Sequence, residues 1–88
     1  MSTTLSGTVR AHGNAASNAT VELHNETGDV VTQTQVDTQG RYTFYVTGGN
    51  WSVRAWDGHG HTGNGSSSLR DGEHASLDLD LEEPEGGH

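Results

Sequence analysis

Apolar and polar residues alternate strictly near the end of this chain, and this period of two narrows the possible folds more than any other feature. In the segment ASLDLDL, Ala75, Leu77, Leu79 and Leu81 alternate with serine and aspartate. Successive side chains of a β-strand point to opposite faces, so the pattern predicts a strand with one buried face. No stretch sustains the 3.6-residue period of an amphipathic helix. The sequence therefore predicts an all-β fold.

The same alternation recurs along the chain between segments rich in turn-forming residues. Predicted strands begin near residues 5, 19, 30, 42 and 51, and a weak strand covers SSSL. Between the third and fourth, the segment DTQG predicts a tight turn, because Asp37 can accept backbone hydrogen bonds and Gly40 tolerates positive φ. The segment DGHGHTGNG predicts a long glycine-rich loop. About seven short strands with this spacing indicate a small Ig-like β-sandwich.

The inward faces of these strands predict one small core. Its expected members are Tyr42, Phe44, Trp51, Val53, Leu77 and Leu79. The predicted organisation is an N-terminal arm over residues 1–4, a sandwich over residues 5–81 and an acidic flexible tail over residues 82–88. A chain of 88 residues buries a smaller fraction of its surface than a larger domain does, so the core has little stability to spare.

Four short motifs occur in the order typical of one domain family. They are SGTV in the first strand, NATVEL in the second, DTQGRYTF before and within the fourth, and GGNWSVRA in the fifth. Together they resemble the carboxypeptidase regulatory-like domains of transthyretin-like topology. The resemblance implies a seven-stranded transthyretin-like sandwich that serves as a structural or adhesive accessory module without catalytic residues. The chain departs from the family pattern in lacking a proline before GGNW, in its polar third strand and in its glycine-rich sixth-strand region.

The charge balance excludes one class of partner. The chain has 12 acidic residues, four arginines and no lysine, which gives a formal net charge of -8. Phosphate backbones bind to basic faces, so we expect no nucleic-acid partner. An acid-rich and lysine-free composition with much serine, threonine and glycine is similar to that of halophilic proteins. The same charge also serves to prevent aggregation in any organism.

Location is constrained by what the sequence lacks. No apolar run is long enough to span a membrane, and MSTTLSGTVR has neither the basic start nor the apolar stretch of a signal peptide. There is no cysteine, so no disulfide supplements the core. We expect synthesis in the cytoplasm, no membrane partner, and a final location in a virion or at an extracellular surface.

The segment DGHGH contains the candidate metal ligands of this chain. Asp57, His59 and His61 are residue types that ligate zinc or copper. A glycine-rich loop loses much conformational entropy on binding a metal, so we favour a solvated loop and expect no cofactor. Asp78 and Asp80 share the outward face of one strand, where no cleft is expected for acid–base chemistry. We therefore expect no catalytic residues and no enzyme activity.

Asparagine has an unusual distribution in this chain. Four of the five asparagines begin an Asn-x-Ser/Thr sequon: Asn18, Asn25, Asn50 and Asn64. All four lie in predicted turns or loops, where a glycosylation acceptor must be exposed. Loops rich in asparagine, serine and threonine also produce such sequons by chance. The four residues are candidates for glycosylation.

The fourth and fifth strands predict a central hairpin with a distinctive outward face. If Val46 pairs with Trp51 across TGGN, then Arg41 lies opposite Trp56. The candidate partner-binding face consists of Arg41, Tyr45, Arg54 and Trp56. Tyrosine, tryptophan and arginine are the residue types most enriched at interface hot spots. The alternative is a cation–π contact between Arg41 and Trp56 that needs no partner.

These observations favour a non-enzymatic structural module that works by assembly. It would be a surface or decoration subunit of a larger particle, a virion before a filament or surface layer, attached through the candidate face or an edge strand. Its partners would then be another protein or further copies of the chain. The alternative is a carbohydrate-binding or adhesion module that uses Tyr45 and Trp56 as a platform for sugar rings.

Overall fold

A computed structural model describes residues 2–58 and 60–82 of the chain. Within these ranges the chain forms β-strands and no α-helix, so none of the described residues forms a helical membrane span. The strands are β1 (Thr3–Ala11), β2 (Asn14–Ala15), β3 (Thr20–His24), β4 (Val30–Gln35), β5 (Arg41–Val46), β6 (Gly49–Trp56), β7 (Thr62–Leu69), β8 (His74–Ser76) and β9 (Leu79–Leu81).

β1 is the centre of the first sheet. β5 pairs with it in antiparallel orientation and places Tyr42 opposite Gly7. β8 and β9 pair with it in parallel orientation, so the first strand lies beside the last two. β2 forms a tight hairpin with the end of β1. In this hairpin His12 and Gly13 adopt φ values of 55° and 81°, as a two-residue type I′ turn requires.

The second sheet is antiparallel throughout, with the strand order β4-β3-β6-β7. Its inward residues are in register, with Val53 opposite Leu23 on one side and opposite Gly65 on the other. A bulge next to His24 interrupts the pairing of β3 with β4. The two sheets pack face to face, and this arrangement is the all-β sandwich that the sequence predicts.

The core lies between the two inward faces. Its largest fully buried side chains are Leu5, Val9, Val21, Leu23 and Val53. Of the six residues that the sequence assigns to the core, Tyr42, Phe44, Val53 and Leu79 are buried. Trp51 and Leu77 are partly buried and pack against the margin of the core. The alternation of residues therefore predicts the inward faces correctly.

The segment DTQG makes the tight turn between β4 and β5. The Asp37 carboxylate Oδ1 accepts hydrogen bonds from the backbone N–H groups of Gln39 and Arg41, at 2.8 and 2.9 Å. Gly40 has a φ of 77°, and a Cβ there would lie 2.6 Å from the carbonyl oxygen of Val9. Glycine is thus required at position 40 both by the backbone conformation and by the close approach of β1. This turn carries the chain from the second sheet to the first.

The Tyr42 side chain passes over Gly7, in the space that a larger residue at position 7 would occupy. Its hydroxyl donates a hydrogen bond to the carbonyl oxygen of Leu77, which lies between β8 and β9. A Cβ on Gly7 would lie 1.9 Å from that oxygen and 3.0 Å from the Tyr42 hydroxyl. The Leu77 backbone is also bound to β1, because its N–H donates to the carbonyl of Ser6 at 2.7 Å. Gly7 therefore lets Tyr42 of β5 reach across β1 to the segment between β8 and β9.

One side of the sandwich, the sealed side, is closed where β7 packs against β9. Gly63 and Gly65 face inward here, and a Cβ on Gly63 would lie 2.6 Å from the carbonyl oxygen of Asp80. The space above Gly65 is filled by the side chains of Leu77 and Leu79. Two backbone hydrogen bonds between Thr62 and Glu82, of 3.0 and 2.8 Å, join the sheets at one end. Small residues on β7 thus fit large residues on β9.

The glycine-rich segment of the sequence is therefore not all loop. β7 already begins at Thr62, so the second half of the segment DGHGHTGNG belongs to a strand of the second sheet. The expectation of a long loop was wrong because inward glycines leave no apolar alternation to detect. The predicted last strand is also interrupted, since β8 and β9 are separated by Leu77 and Asp78.

The ends of the sandwich differ slightly from the predicted boundaries. β1 begins at Thr3, whose hydroxyl accepts a hydrogen bond from the N–H of Gly72 at 2.7 Å. Residues 3 and 4 of the predicted arm therefore belong to a strand. Of the predicted tail, Glu82 takes part in the bridge to Thr62, and residues 83–88 lie outside the described part of the chain.

Candidate functional site

The predicted hairpin between β5 and β6 does not form. Val46 lies opposite Thr3 of β1, and Trp51 lies opposite Ser67 of β7. β5 belongs to the first sheet and β6 to the second. The segment between them crosses from one sheet to the other, held by a hydrogen bond of 2.8 Å from the Gly48 N–H to the Asp71 carboxylate. The predicted pairing of Val46 with Trp51 was therefore wrong.

This correction divides the candidate partner-binding face into two halves. Arg41 and Tyr45 lie on the outer face of the first sheet, and Arg54 and Trp56 lie on the outer face of the second. The core separates the two halves, so Tyr45 and Trp56 do not form one platform. The predicted stacking of Arg41 on Trp56 is excluded for the same reason.

The outer face of the first sheet presents an isolated aromatic ring. Tyr45 is 79% exposed and lies opposite Thr4 of β1. The Thr4 hydroxyl is bound to the His74 imidazole at 2.7 Å. Arg41 forms an ion pair of 3.5 Å with Asp37, and both side chains are at least half exposed. Exposed pairs of this kind contribute little to stability.

The outer face of the second sheet presents a continuous polar surface along β6 and β7, here called the outer strip. It consists of four cross-strand pairs: Asn50 with Ser68, Ser52 with Ser66, Arg54 with Asn64, and Trp56 with Thr62. Seven of these side chains are exposed and Trp56 is half-buried. The strip contains one cation and no carboxylate. At about 3.4 Å per residue, its length from Asn50 to Trp56 is roughly 20 Å.

Two shallow depressions follow one another along the outer strip. One has a volume of about 390 Å³ and includes Arg54 and Asn64 in its lining. The other, of about 450 Å³, includes Asn50 and Ser68. Ser52 and Ser66 line both. The neighbouring strand β3 adds His24, whose imidazole Nε2 lies 2.6 Å from the Glu22 carboxylate.

The sequon asparagines are distributed unevenly. The prediction that all four lie in turns or loops was wrong for Asn50 and Asn64, which are exposed residues of β6 and β7 on the outer strip. Asn18 is exposed in the loop before β3. Asn25 lies in the turn between β3 and β4, where its amide oxygen accepts bonds from the N–H groups of Thr27 and Asp29 at 3.1 and 3.0 Å. Glycosylation of these residues stays a prediction.

The candidate metal ligands form a local turn. Asp57 Oδ2 lies 2.7 Å from His61 Nδ1, and Asp57 Oδ1 accepts the His61 N–H at 3.0 Å. The His61 ring packs edge-on against His12, with 5.4 Å between the ring centroids. His59 lies outside the described residues. In the part of the chain that the structure describes, no group of three or more histidine and acidic side chains is arranged to hold a metal.

Many carboxylates act as acceptors that hold turns and strand ends. Glu73 Oε1 accepts the N–H of Arg70, and Asp78 Oδ1 accepts the N–H of Thr8, at 2.8 and 2.9 Å. The hydrogen bonds from Arg41 and Gln39 hold the pKa of the Asp37 carboxyl below its usual value. Part of the acidity of this chain is therefore structural. This use of carboxylates was not evident from composition alone.

The pKa of Tyr42, in the core, is shifted upward, whereas that of Asp37 is shifted downward. Burial raises the pKa of Tyr42 well above its usual range, and the negative charge of Asp78 adds to the rise. The hydroxyl therefore keeps its proton and remains a donor to Leu77 at all physiological pH values. Tyr42 has a structural function in this position.

The side of the sandwich opposite the sealed side, here called the open side, exposes the edges of β4 and β5. β4 pairs with β3 alone among the described strands, and all of its residues except Thr34 are exposed. Val30 and Val31 are 53% and 51% exposed. A groove of about 390 Å³ separates β4 from β5 and includes Gln35 and Thr43 in its lining. The sequence contained a signal for this edge, namely the uncharged run VVTQTQV in an acidic chain.

Comparisons with known proteins agree with this architecture. A family model described as the carboxypeptidase regulatory-like domain matches residues 4–82. A search of curated proteins finds no match. Among solved structures, the Bacillus anthracis TIE protein superposes with a TM-score of 0.78 and 16% sequence identity, over 94% of this chain and 17% of its own.

A DUF3823 family protein from Parabacteroides merdae gives a TM-score of 0.69 and 16% identity, over 91% of this chain and 45% of its own. The chain therefore spans less than half the length of either protein. At 16% identity, these two similarities show the fold alone.

Proposed function

The chain belongs to the carboxypeptidase regulatory-like domain family, and on this premise we propose that it is a non-enzymatic structural module that works by assembly. In this proposal it is a surface or decoration subunit of a larger particle. The described residues form a sandwich whose polar outer face has shallow depressions. The nature of the particle, a virion before a filament or surface layer, stays a prediction from the sequence.

The observation that carries this proposal is the unprotected edge of β4. Edge strands of monomeric proteins are commonly blocked by lysine, proline, inward charges or a covering segment. Residues 30–36 of this chain contain no lysine, proline or charged residue. A bulge also blocks edges in other proteins, but here it lies at one end of β4 and leaves residues 32–35 in regular pairing with β3. The strand also exposes two valines, Val30 and Val31. Such an edge is a template for addition of another strand through backbone hydrogen bonds.

We assign a second copy of the chain as the occupant of this edge. Two molecules with a net charge of -8 repel each other, so an uncharged edge with free backbone hydrogen-bonding groups is a more favourable place for them to associate than the acidic surface. All six residues of β4, Val30–Gln35, are uncharged, and Val36 extends the uncharged run to seven residues between Asp29 and Asp37. An antiparallel pair of β4 strands places neutral side chains opposite neutral side chains and covers part of the exposed surface of the two valines. The result is one sheet that continues through two sandwiches.

A lysine at the centre of β4 tests this assignment. Gln33→Lys places like charges close together in a β4 pair, and we expect the dimer to weaken by about tenfold or more. Gln39→Lys in the turn after β4 is the matched control, because it adds the same charge away from the paired edge. Both variants lower the net negative charge equally, so general electrostatics alone would favour association in both.

The measurement is molar mass by light scattering and sedimentation over a range of protein concentrations, at low salt and at about 1 M salt. The Debye length falls from about 30 Å at 0.01 M salt to about 3 Å at 1 M, so association of the wild type should increase with salt. Thermal melts show whether each variant is folded. A wild type that stays monomeric in 1 M salt at every concentration, or a Gln33→Lys variant that associates normally, would overturn the proposal.

A further inference from the structure

The outer strip differs in chemistry from the rest of this acidic surface. Its eight side chains include two amides, four hydroxyls, one guanidinium and one indole. Two carboxylates border the strip. Glu22 of β3 lies opposite Arg54 and is already bound by His24, and Glu26 lies at the edge of the depression that includes Asn50. The acidic residues described above lie mainly in turns and on the sealed side. The strip is therefore an almost neutral surface on a molecule of net charge -8.

The polar groups of the strip form a regular array. They project from the same face of two paired strands, so successive groups along one strand are about 7 Å apart. The Ser52–Ser66 pair has short hydroxyl side chains, and longer groups flank it, with Asn50 on one side and Arg54 with Asn64 on the other. This produces the two adjoining depressions, which share that pair. A flat, extended and polar ligand fits such a surface better than a compact one.

Trp56 is the one aromatic side chain of the outer strip. It lies at the end of the strip, between Thr20 of β3 and Thr62 of β7, and it is half-buried. An indole that is fixed by its neighbours offers contact area at low entropic cost. Arg54 precedes it by two residues on the same face and lies opposite Asn64. A guanidinium and an amide are planar groups that can each make two hydrogen bonds to adjacent hydroxyls.

From this array we propose that the outer strip binds a neutral oligosaccharide. One sugar ring stacks on Trp56 through its apolar face, and the hydroxyls of the next ring bind Arg54 and Asn64. Further rings occupy the depressions lined by Ser52, Ser66 and Asn50. An acidic polysaccharide is excluded because the net charge of the protein repels it and a single cation lies on the strip. The site is separate from the β4 edge and does not depend on assembly there.

The proposal has a consequence for the sequons. Asn50 and Asn64 are members of the strip, so a glycan attached at either residue would cover it. Oligosaccharide binding and glycosylation of these two residues therefore exclude each other. Unglycosylated protein, produced in a host without N-glycosylation, is the form in which binding must be tested.

The test is a titration with neutral hexasaccharides of glucose and of N-acetylglucosamine, with oligogalacturonate as the acidic probe. Indole and backbone amide resonances of labelled protein report the site. We expect shifts at Trp56 and along the strip with at least one neutral probe and none with oligogalacturonate. The backbone amides of β5 are the internal reference, because β5 belongs to the other sheet of the sandwich.

Variants on the two outer faces provide the controls. Trp56→Ala and Arg54→Gln should each weaken the binding of the neutral hexasaccharide by about tenfold or more. Tyr45→Ala and Arg41→Gln make closely related changes on the opposite face and should leave the affinity unchanged. Thermal melts establish that all four variants are folded. Failure of every neutral probe to shift the strip, or equal losses on both faces, would overturn the proposal and would leave the assembly proposal untouched.

Discussion

The two sides of the sandwich differ in how the space between the two sheets is filled. On the sealed side, β7 has glycines at positions 63 and 65, and leucine side chains of β9 occupy the space next to them. On the open side, β4 and β5 keep side chains of ordinary size and leave a groove between them. The difference teaches that closure depends on matching small residues with large ones. Apolar content does not decide it, because the open side carries two exposed valines and stays open.

The largest expected effect concerns Gly7, where the first sheet is tightest. In Gly7→Ala the new Cβ would lie 1.9 Å from the Leu77 carbonyl oxygen, so the backbone between β8 and β9 must move. We expect a loss of about 3 kcal/mol in the free energy of unfolding, measured by urea denaturation. Gly58→Ala is the matched control, because a Cβ there meets nothing within 4 Å. Equal stability of the two variants would show that the link to the sealed side is not tightly packed.

We expect an intermediate loss of stability when the hydroxyl of Tyr42 is removed. This hydroxyl belongs to β5 on the open side and binds the Leu77 carbonyl near the sealed side. Tyr42→Phe leaves the Leu77 carbonyl without its donor, and we expect a loss of about 1–3 kcal/mol. Tyr45→Phe makes the same change at a side chain that is 79% exposed and should alter stability by less than about 0.5 kcal/mol. Chemical denaturation of both variants measures the difference. Similar values would show that the buried hydrogen bond contributes nothing net.

A smaller, pH-dependent effect is expected in the turn between β4 and β5. Because the folded pKa of Asp37 is lowered, its contribution to stability is complete above its unfolded value, near 3.8, and is lost as the pH falls through the folded value. The thermal midpoint of the wild type should exceed that of Asp37→Asn at pH 7, and the gap should close as the pH falls below about 4. A gap that is constant with pH would assign the effect to geometry instead of charge.

The smallest effect is expected at the open edge itself. Val31→Thr preserves shape at a position that is 51% exposed, so the free energy of unfolding should change by less than about 0.5 kcal/mol. Its unfolding curve in urea should overlay that of the wild type. A clear loss of stability would mean that β4 is held by more than its pairing with β3, and the contrast between the two sides would weaken.

The sequence predicts the inward faces well because burial produces a period of two. Phe44 and Val53 are buried as expected, and the turn at Asp37 forms with the hydrogen bonds that its residue types allow. The same period says nothing about which strand lies next to which. β5 and β6 have equivalent alternation and a short glycine-containing connection, as a hairpin would have. The prediction of a shared face at Arg41 and Trp56 therefore failed although the inward and outward assignments of these strands were correct.

Two other features depended on partners far along the chain. The strand character of residues 62–65 is evident only when the leucines of β9 are placed against Gly63 and Gly65. The outer strip arises because Asn64 and Ser66 align with Arg54 and Ser52 in register. Local propensity does not specify such alignment. For this reason the sequence identified Arg54 and Trp56 as candidates but assigned them the wrong neighbours.

The position of β1 has a consequence for how the molecule acquires its structure during synthesis. β1 is synthesised before the other strands of the sandwich, but Thr4 and Thr8 bind His74 and Asp78, which follow them by 70 residues. At about 5–20 residues per second, this gap lasts roughly 4–14 s. The strands of the second sheet, β3 to β7, are complete before β8 and β9 emerge. We therefore expect the second sheet to organise first, and the final folding step to be the docking of the C-terminal strands along β1. Such long-range pairing makes this step slow for a domain of this size.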